Sequence, residues 1–135
     1  MISVGSVMSR NVVTIAPNSP IYEALELLKK HEVSGLPVVN NQNEIVGILS
    51  EKDVLSILIN DKLDVKDTVS DYMSRDVISF HENDNAIDVC KFFINSHIRR
   101  VPIVNEGELV GVVSRRDIVL LIMEARSKMS TFRYV

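Results

Sequence analysis

Apolar residues recur along this chain with two spacings, and each spacing is used twice. Val12-Val13-Thr14-Ile15 is a short β-branched run that predicts a strand. Ile21, Ala24, Leu25 and Leu28 follow at helical intervals, with Ser19 as the expected N-cap and Pro20 at the first helical position. Leu36-Pro37-Val38-Val39 and Ile45-Val46-Gly47-Ile48-Leu49 are two further apolar runs. The polar turn Asn40-Asn41-Gln42-Asn43 joins them into a predicted hairpin. A second helix is predicted from about Glu51 to Ile59. The same order then returns: a strand at Val77-Ile78-Ser79-Phe80, and a helix capped by Asp84 with Ala86, Val89, Cys90 and Phe93 on one face. A hairpin turning at Asn105-Glu106-Gly107 and a helix from about Arg115 to Arg126 complete the second copy.

The recurrence is a true internal repeat. Met8-Ser9-Arg10 matches Met73-Ser74-Arg75 letter for letter, and Leu36-Pro37-Val38-Val39-Asn40 matches Val101-Pro102-Ile103-Val104-Asn105. After a one-residue difference in the turn, Glu44 to Ser50 matches Glu108 to Ser114, and Asp53 matches Asp117. The period is about 65 residues. The expected organisation is repeat 1 at 1–60, a linker at 61–66, repeat 2 at 67–127 and a weakly ordered basic tail at 128–135. Halves of this size hold too little core to be comfortable alone, so they are expected to share one body. The second helix of each copy, Val54 to Ile59 and Ile118 to Met123, is apolar around most of its circumference. Its excess apolar surface calls for burial against the other repeat or a second chain. A homodimer through these helices is therefore expected.

Composition narrows the function. The chain has 135 residues, 46% of them hydrophobic and 24% charged, with a formal net charge of −3. The pI is near 5.6, and tryptophan is absent. A dedicated nucleic-acid binder is thus not expected. A single cysteine, Cys90, allows neither an intramolecular disulfide nor a zinc site of several thiolates. Its simplest role is that of a small hydrophobe on a helix face. The start Met1-Ile2-Ser3-Val4-Gly5-Ser6 lacks a signal-peptide pattern. The longest apolar run is too short to span a bilayer. A cytoplasmic protein without membrane contact is expected.

The chemistry concentrates where a strand hands over to a helix. Ser50-Glu51-Lys52-Asp53 and Ser114-Arg115-Arg116-Asp117 permit two readings. In one, Ser and Asp form a capping box and serve only the helix. In the other, first-turn N–H groups and the Ser hydroxyl bind phosphate while the Asp carboxylate accepts from ribose hydroxyls. Arg99-Arg100 favours the second reading in the second copy, since adjacent guanidiniums repel and a multiply charged anion satisfies both. The first copy offers uncharged Ser34-Gly35 at that place, so two sites would not be equivalent. If Asp117 turns back onto its own backbone and Arg99 and Arg100 point away into solvent, the sensor reading collapses to a scaffold.

At these residues the chain resembles the CBS (cystathionine β-synthase) domain family. The resemblance is carried by Gly35-Leu36-Pro37-Val38-Val39 and Gly47-Ile48-Leu49-Ser50-x-x-Asp53. It is repeated as Arg100-Val101-Pro102-Ile103-Val104 and Gly111-Val112-Val113-Ser114-x-x-Asp117. It implies an α+β fold of two pseudo-symmetric βαββα repeats packed sheet to sheet, in a disc-like homodimer. It also implies up to two clefts for adenosine ligands such as AMP, ADP, ATP or S-adenosylmethionine, with no cofactor required. Carried over, one site would use Arg99, Arg100, Ser114 and Asp117, with Met8, Val12 and Val13 walling the base. The other would use Gly35, Ser50, Lys52 and Asp53 with Met73, Val77 and Ile78. The absent cation at Ser34-Gly35 suits a less charged adenosyl ligand, or none.

No catalytic residues are expected. His31, His81 and His97 pair with no recognisable nucleophile motif, no Gly-rich phosphate loop with lysine occurs, and Glu23 and Glu26 fall on exposed helix positions. The leading expectation is a regulatory sensor read by an effector protein that the sequence does not identify. A ligand-free structural interaction module is the alternative, and an unrecognised catalytic activity is a distant third.

Overall fold

The computed structural model describes residues 1–61 and 66–133, so most of the expected 61–66 linker lies outside the described residues. The architecture is α+β, and the chain divides into two compact units. The first-repeat unit comprises Val13–Ile78 with Glu106–Leu109. The second-repeat unit comprises Met1–Val12, Ser79–Asn105 and the chain from Val110 onward.

In the first-repeat unit, helix α1 (Ile21–His31) buries Ile21, Ala24 and Leu28, the positions its periodicity marks. Strands β1 (Gly35–Val39) and β2 (Ile45–Ser50) pair antiparallel, with Gly35 opposite Ser50 and a bulge between Val38 and Val39. Leu36, Val38 and Leu49 join the helix residues in one core with Ile57, Val69 and Met73. The strand predicted over Val12-Val13-Thr14-Ile15 contracts to one parallel bridge, Ile15 to Val38. The chain turns immediately afterwards, where the Ser19 N–H donates to the Ala16 carbonyl. The N-cap of α1 is Pro20 rather than Ser19, and it makes no side-chain cap bond. The predicted second helix is split into α2 (Glu51–Val54) and α3 (Ser56–Ile59), interrupted at Leu55.

The second-repeat unit repeats this plan with fuller elements. Strand β3 (Phe80–His81) runs parallel to β4 (Arg100–Asn105), and β5 (Glu108–Ser114) lies on the other side of β4. Helix α4 (Ala86–Ile94) buries Ala86, Val89 and Phe93. Its cap is Asn85, whose side chain accepts from the Ile87 N–H. The expected cap, Asp84, is engaged one turn earlier, accepting from the His81 N–H at 2.8 Å. The β4–β5 turn places Glu106 at φ 51° and Gly107 at φ 81°. Two consecutive left-handed residues match the natural strand twist of a tight hairpin, which explains the glycine. Helix α5 (Arg115–Arg133) continues well past Arg126, through the first part of the segment expected to be a loose tail.

The leading segment of each repeat is built into the other unit. Around Val69, the Ile21 N–H donates to Asp67 O at 3.0 Å, the Val69 N–H to Ser19 O at 2.9 Å and the Ser70 N–H to Pro17 O at 2.9 Å. Around Val4, one repeat earlier, the Ala86 N–H donates to Ile2 O, Val4 N–H to Asp84 O and Gly5 N–H to Glu82 O, all at 2.8 Å. Val69 and Val4 are both fully buried plugs of their host cores. Beyond each plug, Ser74 bridges antiparallel to Ile48, and Ser9 to Val112. Packing there is close. A Cβ on Gly47 would lie 2.6 Å from Met73 Sδ and 2.9 Å from Ser74 O. One on Gly111 would lie 2.5 Å from Met8 Sδ and 2.9 Å from Ser9 O.

Candidate functional site

Each unit carries one corner where a strand becomes a helix. In the second-repeat unit, β5 ends at Ser114 and α5 begins at Arg115. The Ser114 N–H donates to Asp117 Oδ2 at 2.7 Å, and the Asp117 N–H donates to Ser114 Oγ at 3.2 Å. The Ser114 hydroxyl also lies 3.0 Å from Asp117 Oδ2, to which it donates. In the first-repeat unit, the Ser50 N–H donates to Asp53 Oδ2 at 2.8 Å and the Asp53 N–H to Ser50 Oγ at 3.3 Å. Both corners are therefore reciprocal capping boxes, with Asp in the place that Glu or Gln more often takes.

The caps consume much of what an anion would otherwise meet. The first helical amide is taken in both units, Arg115 N–H by Arg99 O and Glu51 N–H by Ser34 O, each at 2.9 Å. The third is taken by serine. The amides of Arg116 and Lys52, between them, have no acceptor among the described residues. On each aspartate a single oxygen, Oδ2, carries the cap. Oδ1 makes no hydrogen bond among the described residues, and both carboxylates are half-buried.

The charge at the two corners differs as their sequences do. Arg99 and Arg100 are exposed, and neither guanidinium has a hydrogen-bond or ion-pair partner among the described residues. Arg100 opens β4, at the place in its repeat that Gly35 holds opposite Ser50 in the first. Gly35 is half-buried, with space for no more than a tight Cβ, 3.2 Å from Leu49 O. Lys52 is exposed in the first turn of α2.

The apolar candidates sort by unit. Met8 and Val12 fall in the second-repeat unit with Arg99, Arg100, Ser114 and Asp117, while Val13 is the first residue of the other unit. Met8 rests on Gly111, three residues before Ser114. Met73, Val77 and Ile78 share the first-repeat unit with Gly35, Ser50, Lys52 and Asp53, and Met73 rests on Gly47. Met73 is buried, Met8, Val12, Val13 and Val77 are half-buried, and Ile78 is exposed. Sequence reasoning missed one polar residue at the second corner, Arg115, whose guanidinium binds backbone carbonyls of Phe93 and Ser96. Its only signal was a charge reversal against Glu51 of the first copy.

Two halves of like plan, each with a capped strand-to-helix corner and a methionine on a strand glycine, define a tandem α+β repeat module. The chain belongs to the CBS domain family, whose domain matches residues 4–60 and again 69–124. It is 35% identical over 119 residues to MJ1225, an uncharacterized protein of Methanocaldococcus jannaschii, covering 88% of this chain but 42% of that one. It is 34% identical over 120 residues to the CBS domain-containing protein YhcV of Bacillus subtilis, with 89% and 85% covered. Among solved structures it is similar to CBSX2 in complex with AMP, with 26% identity and a TM-score of 0.83, covering 93% of this chain and 99% of that one. It is also similar to the CBS domain pair of MJ0100 in complex with 5-methylthioadenosine and S-adenosyl-L-methionine. There the identity is 29% and the TM-score 0.77, covering 93% and 98%. No described helix is long and apolar enough to cross a membrane.

Proposed function

We propose that this chain is a regulatory module that binds an adenosine ligand of the AMP, ADP or ATP type at the Ser114–Asp117 corner and passes its occupancy to an effector protein. The observation that carries this reading is Asp117, whose Oδ1 makes no hydrogen bond among the described residues, in the unit that also presents the exposed cations Arg99 and Arg100. Asp117 is turned onto its own backbone, but through Oδ2 alone; Oδ1 remains as an acceptor for ribose hydroxyls. Capping and ligand binding are compatible, because the cap fixes the carboxylate that the ligand meets. Relatives support the ligand class, since CBSX2 binds AMP and the MJ0100 pair binds 5-methylthioadenosine and S-adenosyl-L-methionine. Met8 and Val12 wall the base in this reading, and Arg99 and Arg100 meet phosphate.

The Ser50–Asp53 corner, with Gly35, Lys52, Met73, Val77 and Ile78, takes a less charged adenosyl ligand such as S-adenosylmethionine, or none. No cofactor is required and no catalytic role is assigned. The protein acts in the cytoplasm as a homodimer. Leu58 and Ile59 are 74% and 80% exposed, and Ile122 and Met123 are 61% and 63% exposed. That much apolar helix surface favours a second copy. Sedimentation that returns a monomer at all concentrations contradicts that part.

Both conditions expected of a scaffold are met, since Asp117 is turned onto its own backbone and Arg99 and Arg100 are exposed, and they favour a second reading in which the corners do nothing but end strands and start helices. Calorimetry with AMP, ADP, ATP and S-adenosylmethionine separates the two. The sensor reading expects a micromolar-class ligand whose affinity falls about tenfold or more in Asp117→Ala. The scaffold reading expects no heat with any of them, while Asp117→Ala still loses the stability of its cap.

A further inference from the structure

Arg115 differs from every other residue of the two corners in what its side chain does. Its Nη2 donates to Phe93 O at 2.9 Å and to Ser96 O at 2.6 Å, and its guanidinium lies 6.0 Å from the centre of the Phe93 ring. Its amide donates to Arg99 O at 2.9 Å. Three hydrogen bonds from one residue thus fall on the stretch from Phe93 to Arg99, which closes α4 and leads into β4. The end of α4 is where a cation is favoured, because the last carbonyls of a helix lack intrahelical donors. The matching residue of the first repeat, Glu51, has the opposite charge, and α1 ends on Lys29, Lys30 and His31. Among the described residues, Glu51 reaches the equivalent stretch only through its backbone N–H to Ser34 O.

We propose that Arg115 is a positioning residue that holds the stretch from Asn95 to Arg100 against the start of α5. It thereby sets the preference of this corner for a phosphate-bearing ligand over a neutral one. Its own charge is spent on backbone carbonyls, so it is not itself the phosphate ligand. Arg99 and Arg100 meet phosphate only from a backbone held in place, and fixing that backbone in advance removes its share of the ordering cost of binding. A neutral adenosyl ligand uses Asp117 and the apolar wall and gains nothing from the tether. The proposal rests on the adenosine-ligand reading above.

The test uses AMP and adenosine as paired probes on the full chain, with hydrogen exchange of residues 95–100 measured alongside. In Arg115→Gln the AMP affinity falls about five- to tenfold while adenosine affinity stays within about twofold, and amides of the 95–100 stretch exchange faster. Arg115→Lys keeps the charge, but its shorter side chain does not bring a nitrogen to where Nη2 meets Phe93 O and Ser96 O, so it recovers only part of the AMP affinity. Equal losses for both ligands overturn the proposal, because that is how a merely structural residue behaves. Full AMP affinity in Arg115→Lys despite faster exchange also overturns it, assigning the effect to charge. A wild type that binds AMP, with Arg115→Gln unchanged, overturns the positioning role and leaves the ligand reading standing. A wild type that binds neither probe overturns both.

Discussion

The two strand-to-helix corners share a backbone plan and differ in almost everything that a ligand would notice. Ser50–Asp53 and Ser114–Asp117 make the same reciprocal cap, and the residue after each serine donates its amide to the carbonyl before the repeat's hairpin. Yet one corner opens a four-residue helix with Gly35 alongside, and the other opens a 19-residue helix with Arg99, Arg100 and Arg115 alongside. Duplication preserved the parts that hold the chain together. The charged parts diverged, which is the pattern expected when one copy carries recognition and the other mainly carries fold.

If the shared plan is real, equivalent lesions in the two units should cost the same. The largest effect is expected at the strand glycines. Gly47→Ala and Gly111→Ala drive a Cβ into Met73 or Met8 and into a backbone carbonyl, at 2.9 Å in both units. Each should destabilise by about 2–3 kcal/mol in urea unfolding. Costs differing by more than half would break the equivalence of the two units. Gly35→Ala, whose Cβ meets Leu49 O at 3.2 Å, should cost clearly less. Next come the caps: Asp53→Ala and Asp117→Ala should each lower stability by about 1 kcal/mol, since each removes one capping partner. A large excess for Asp117 would mean that its carboxylate holds more than its own helix.

The smallest effect sharpens a real difference between the units. Tyr72 donates its hydroxyl to Asp67 Oδ2 at 2.7 Å, and the matching positions of the first repeat are Val7 and Ile2. That hydrogen bond to Asp67, with burial and neighbouring carboxylates behind it, pushes the phenol up to about 12 from its ordinary 10.0. The folded state therefore holds this proton more tightly. The contribution is present below pH 10 and is lost as the pH climbs towards 12. Absorbance titration of the folded chain should show a late phenolate transition that Tyr72→Phe abolishes; its persistence in that variant would assign it elsewhere.

Much of this was legible in the residues, and the gaps have physical causes. The period of the repeat and the buried faces of α1 and α4 follow from apolar spacing, because helix burial is a local geometric consequence of that spacing. The β-branched composition of Val12–Ile15 favours extended backbone, but only Ile15 finds a neighbour in β1, so the predicted strand shrinks to one bridge. Asp84 has the position and chemistry of a cap, but its carboxylate serves the turn at His81 and Asn85 caps α4 instead. Internal similarity shows which segments are equivalent but not which copy each packs upon, so the exchange of Val4 and Val69 between units needed coordinates. At the corners the sequence left cap and ligand site as rivals. Geometry shows the cap, and shows that it occupies one carboxylate oxygen of two. Arg115 shows in the sequence only as a charge reversal against Glu51, because its partners are main-chain carbonyls, which carry no sequence signature.

Titrating the isotopically labelled chain with AMP while following backbone amides tests the asymmetry most directly. The amides of Arg116 and Lys52 report the two corners separately, as each lies in the first turn without an acceptor among the described residues. Arg116 and its neighbours Ser114 and Asp117 should shift at the first additions, with Lys52, Ser50 and Asp53 following only at much higher AMP. Simultaneous shifts at both corners, or Lys52 moving first, would contradict the assignment of anion recognition to the second repeat.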